Sequence, residues 1–130
     1  MAQQQRETIA TAITGLMTGG ETAANLCCTV EASNAAGEDV SIQVMQGTIN
    51  IAPYTHDEEP LEQLESCGAL EGLDDQELDV QEWEPGSFAT LGFGGLATAE
   101  VAQLVDQIFV KLLGCDDAGY TPAASTEDLG

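Results

Sequence analysis

Basic residues are almost missing from this chain. Arg6 and Lys111 are the only two, against 23 Asp and Glu, and the formal net charge over 130 residues is -21. Phosphate binding draws its affinity from Lys and Arg, so nucleic acid is excluded as a direct ligand, and an anionic membrane surface is disfavoured for the same reason. Long apolar runs are absent as well: nothing approaches the ~18 consecutive apolar residues of a membrane span. The start, Met1-Ala2-Gln3-Gln4-Gln5-Arg6-Glu7, lacks the basic-then-apolar order of a secretory signal, which points to the cytoplasm. The cysteines Cys27, Cys28, Cys67 and Cys115 include no C-x-x-C, so the usual zinc spacing is missing and reduced thiols are expected. Adjacent in an alternating run, Cys27 and Cys28 read as one surface thiol and one core thiol.

What is present is enough for one folded domain, since 43% of the residues are hydrophobic. The acidity has two readings. It is the surface of a salt-adapted protein, rich in Ala, Thr and Gly and poor in lysine, or it is a face that receives a basic protein segment.

Apolar spacing supplies the elements. Ile9, Ile13, Leu16 and Met17 share a helical face that ends at Gly19-Gly20. Leu26, Cys28 and Val30, then Val40, Ile42 and Val44, alternate as two strands of a hairpin about the turn 33–38, and Thr48-Ile49-Asn50-Ile51 reads as a third strand. A helix starts in Asp57-Glu58-Glu59-Pro60, carries Leu61, Leu64 and Cys67, and stops at Gly68. Strands follow from Leu78 to Glu84 and from Phe88 to Phe93 about the turn Glu84-Pro85-Gly86-Ser87. Thr98 caps a final helix whose stripe is Val101, Leu104, Val105, Ile108, Phe109 and Leu112, closed by Gly114. The fold class is therefore α+β in the order α-β-β-β-α-β-β-α. An antiparallel sheet of about five strands carries helices on one face over residues 1–115, and 116–130 reads as an acidic flexible tail.

This order resembles class I type III secretion chaperones and the related YbjN-type domains. The likeness spans residues 7–115 and rests on the strand Ile42-Gln43-Val44-Met45, the helix Asp57 to Cys67, the strand ending Glu82-Trp83-Glu84-Pro85-Gly86, and the helix Glu100 to Gly114. The resemblance implies a small, acidic, non-enzymatic homodimer that holds an extended segment of a client protein, with no cofactor.

Residues able to carry chemistry have plainer readings. His56, the single histidine, reads as a surface loop residue at a helix entrance. Asp74-Asp75-Gln76-Glu77 with Asp79 lacks the spaced ligands and central Gly of a calcium loop, so no metal site is expected. Gly92-Phe93-Gly94-Gly95 mimics a phosphate loop without its Lys, and reads as a strand-to-helix connection. Carboxylates are too abundant to be diagnostic of acid–base catalysis, and no enzyme signature is found. Trp83 has two placements. Unbroken alternation sets it opposite Leu78 and Val80, as an exposed anchor between Glu82 and Glu84; a register shifted by one packs it under a helix. Trp83, Met45 and Phe88 are the candidate partner-binding residues.

The sequence thus favours a non-enzymatic, chaperone- or adaptor-like module for another protein. The rival readings are a salt-adapted assembly subunit and an acidic mimic of nucleic acid.

Overall fold

A computed structural model describes residues 2–18, 26–54, 58–73, 78–84, 86–93, 97–115 and 120–128. Gly19-Gly20, His56, the acidic run 74–77, Pro85 and Gly94-Gly95, each read above, lie outside the described residues.

Among the described residues, alternation and helical periodicity resolve into three helices and six strands. In chain order these are α1 (Ala2–Thr18), β1 (Leu26–Ser33), β2 (Asp39–Met45), β3 (Thr48–Tyr54), α2 (Pro60–Cys67), β4 (Leu78–Glu84), β5 (Ser87–Phe93), α3 (Thr98–Lys111) and β6 (Ala123–Asp128). The first eight elements follow the expected order. The strand count is six rather than five, because residues 123–128, read as part of a tail, form β6 and pair with β1. Every pairing in the sheet is antiparallel, and the strand order is β4-β5-β3-β2-β1-β6.

One face of this sheet is dry. Cys28 and Val30 of β1, Ile42 and Val44 of β2, Ile49 and Ile51 of β3, and Leu91 of β5 are all fully buried. They meet Ile9, Ile13 and Leu16 of α1 and Val101, Leu104, Val105, Ile108 and Phe109 of α3 in one core cluster. Three- and four-residue steps on the helices meet two-residue steps on the strands, which gives a two-layer domain.

Local chemistry sets the ends of the elements. Pro60 occupies the first turn of α2, where its missing N–H costs nothing. Gly68, at φ 88°, ends that helix; its N–H bonds Glu65 O and the Ala69 N–H bonds Leu64 O, the paired closure that only a left-handed residue allows. At α3 the cap is Ala97 rather than Thr98, and the Glu100 carboxylate accepts the Ala97 N–H at 3.1 Å. The β1–β2 turn is organised by Asn34, whose Oδ1 accepts the N–H groups of Ala36 and Glu38. Its Nδ2 donates to Leu113 O just beyond α3, tying the turn to the helix layer.

Candidate functional site: the open face of the sheet

Both long helices lie on one side, so the other side of the sheet is built from the alternate residues of each strand. Register arranges them in rows. The middle row runs Ser125–Thr29–Gln43–Asn50–Thr90–Glu82 across all six strands. Side chains bond along it: Asn50 Nδ2 donates to Gln43 Oε1 at 3.3 Å, and Thr90 Oγ1 donates to Asn50 Oδ1 at 3.1 Å. Cross-strand neighbours on one face are close enough for such bonds, and the result is a band of uncharged donors and acceptors.

Carboxylates surround that band. Glu31, Asp39, Asp79, Glu82, Glu84 and Glu127 share this face by register and are all exposed. Neither basic residue is there, since Arg6 belongs to α1 and Lys111 to α3. At Gly92 the absence of a side chain has a use. A Cβ there would lie 2.6 Å from Asp79 Oδ1 and 2.7 Å from Gln81 Nε2, so those two polar tips fold down over the strand.

The three candidate partner-binding residues do not converge. Met45 lies on the open face in the row Glu127–Cys27–Met45–Thr48–Gly92–Asp79, and Phe88 lies on the same face near its other end. Four residues along and two strands across separate them by about 16 Å. Trp83 is on the helix side. A bulge between Val80 and Glu82 adds one residue to β4 and shifts its alternation, so Trp83 comes opposite the buried Ala89 rather than out to solvent. A second irregularity, between Ile51 and Tyr54 of β3, turns Tyr54 to the same side. The two rings meet edge to face with centroids 6.0 Å apart, Trp83 half-buried and Tyr54 fully buried. Tyr54 donates its hydroxyl to Glu58 O at 2.6 Å; burial first, and then the charge of Glu58, push its pKa up to about 12.

The cysteine pair also differs from expectation. Cys28 faces the core, but Cys27, on the open face between Met45 and Glu127, is buried too, at 4% exposure. Burial raises the pKa of both thiols.

On the helix side, one buried carboxylate stands out. Asp106 of α3 is 2% exposed, and its two oxygens are occupied: Arg6 Nε donates to Oδ2 at 2.9 Å and the Tyr120 hydroxyl donates to Oδ1 at 2.8 Å. Gln5 Nε2 donates to Tyr120 O at 3.0 Å, and the Tyr120 ring rests on Phe109 with centroids 5.4 Å apart. These contacts latch the segment leading into β6 onto α1 and α3. Burial, and then the hydrogen bond to Asp106, raise the Tyr120 pKa far above its ordinary value. Two shallow hollows flank the latch. One of about 490 Å³ lies between Arg6, Ala10, Ala99 and Gln103, and one of about 380 Å³ between Arg6, Glu71, Gln107 and Lys111.

Sequence reasoning passed over both the polar row and the latch. The row was signalled by Thr29, Gln43 and Asn50 at alternate strand positions. The latch was signalled by Asp106, which interrupts an otherwise apolar helical stripe, and by Arg6 as one of only two cations. Among the described residues no three His, Cys, Asp or Glu side chains are grouped as metal ligands, and no helix is long and apolar enough to cross a membrane. Comparison with known family models, with curated proteins and with solved structures returns no match for this chain.

Proposed function

We propose that this protein is a non-enzymatic binding module, chaperone- or adaptor-like, that docks a basic extended segment of another protein across the open face of its sheet. One observation carries the reading: among the described residues that face has six exposed carboxylates, no Lys or Arg, and an uncharged hydrogen-bonding band between them. An extended basic segment meets all three features, with its charges at the rim and its polar groups on the band. Steering by the net charge of -21 speeds its arrival. Residues placed to touch it are Gln43, Asn50, Thr90, Met45 and Phe88, while Trp83 supports the face from beneath. The resemblance to secretion chaperones and YbjN-type domains is compatible with this role, as are a cytoplasmic setting and a homodimer.

A second reading has its own support. Glu62, Glu65 and Glu71, away from this face, are exposed as well, as expected of a salt-adapted structural subunit whose acids are spread everywhere.

The deciding experiment compares two triple variants in capture from host lysate, followed by titration with the purified partner. Glu31→Gln, Glu82→Gln and Glu84→Gln neutralise the open face; Glu62→Gln, Glu65→Gln and Glu71→Gln neutralise the α2 region. The first set is expected to lose about tenfold in affinity and the second little, since rim charges contribute a few tenths to 1 kcal/mol each. Equal loss in both would favour the salt-adaptation reading.

A further inference from the structure

Strand β6 differs from every other strand in how it is held. It pairs with β1 over six positions, from Leu26↔Asp128 to Glu31↔Ala123. Yet Ala123, Ala124, Ser125, Thr126 and Glu127 are all exposed, including Ala124 and Thr126, which share the helix side with the fully buried Val30 and Cys28. Besides its approach to α1, its attachment among the described residues is the backbone ladder, a hydrogen bond between the Thr126 side chain and the Cys28 thiol, and the Tyr120 latch at its leading end. A backbone ladder does not depend on sequence, so another extended segment could occupy the same edge. Charge also weighs against the resident: β6 brings Glu127 and Asp128 to a chain that already carries a large negative charge.

The geometry points to β6 as a displaceable cover strand: the basic extended segment of a partner enters the sheet beside β1 in its place, and the freed edge continues the open face on which the segment lies. This rests on the function proposed above and adds the route of entry. The site asks for small residues opposite Cys28 and Val30, where β6 has Thr126 and Ala124, and for a basic residue opposite Glu31, where β6 has only Ala123. The Tyr120 latch sets how readily the exchange takes place.

The test uses the full chain at low salt and a synthetic peptide of residues 121–130 carrying Ala123→Lys and Glu127→Lys. This peptide should bind about tenfold more tightly than the unaltered peptide, because it exchanges one acid for two cations on an acidic face. On binding, hydrogen exchange should show residues 123–128 of the chain losing protection while β1 keeps its own. Tyr120→Phe, which removes one hydrogen bond to a buried carboxylate, should raise the peptide's affinity about tenfold. If that variant does not fold, the exchange measurement on the unaltered chain decides alone. Binding that leaves 123–128 protected, with chemical shifts confined to Gln43, Asn50 and Thr90, overturns the exchange and leaves the open-face reading standing. No binding of the lysine peptide overturns both.

Discussion

At the scale of single residues, the helix layer is organised by one charge pair. Removing either partner of Arg6–Asp106 has an unequal cost. Arg6 is 37% exposed and reaches water without its partner, whereas the Asp106 side chain, at 3%, does not. Arg6→Ala should therefore destabilise by about 3 kcal/mol, because it strands a buried carboxylate, and Asp106→Asn should cost less. Urea unfolding of the two variants checks the order, and equal or reversed costs would contradict it. Alkali gives a second prediction. The folded state holds the protons of Tyr120, Tyr54 and Cys115 more tightly than the unfolded chain does, and burial pushes Cys115 up to about 11 from 9.0. Their contribution is complete below the unfolded pKa values and is lost as pH rises through the folded ones. Thermal midpoints should thus fall from about pH 9 upward, and fall less steeply in Tyr120→Phe, whose starting stability is lower.

At the scale of elements, the legible parts were those in which one period ran unbroken. The α3 stripe and the β1–β2 hairpin were readable because each apolar residue falls where the helical or strand repeat puts it. Two elements were not. β6 reads Ala-Ala-Ser-Thr-Glu-Asp, with no apolar alternation and no β-branched residue except Thr126, so nothing local marks it as a strand; β1 supplies the partner edge that makes it one. Trp83 was ambiguous for a different reason. An added residue in β4 leaves no trace in composition, and it alone decides which face the indole takes. Deleting Gln81 tests this. With the bulge present, the deletion restores plain alternation and leaves Trp83 facing Tyr54, so fluorescence stays blue-shifted and stability changes by no more than about 1 kcal/mol. In an unbulged strand Trp83 would start on the open face and the same deletion would turn it inward, and a large blue shift would show it. The candidate site was less legible: Met45 and Phe88, named as partner-binding residues, lie on the open face, but the polar row whose side chains bond across three strands depends on register, which a single strand's sequence does not carry.

At the scale of the whole molecule, charge acts on stability as much as on recognition. A net charge of -21 with one resident ion pair among the described residues leaves the folded state repelling itself. Screening lengths shrink to about 3 Å at 1 M salt, so the thermal midpoint should climb as sodium chloride is raised from about 0.05 to 1 M. A midpoint that stays level would mean that the acids are spaced widely enough for repulsion to be negligible. The same titration separates the two roles of acidity, since docking of a basic segment weakens with salt while the fold strengthens.

The latch at Tyr120 also fixes the order in which the molecule is completed. Gln5 meets Tyr120 across 115 positions, and Arg6 meets Asp106 across 100. Contacts of such sequence separation form last and slow the final step of folding. During synthesis α1 and the first five strands exist before the residues that close them, so β1 spends that interval as the rim of the sheet, with its amides unpaired on one side. A newly made chain is then at its most receptive to an incoming strand, and most exposed to the wrong one, before it has finished growing.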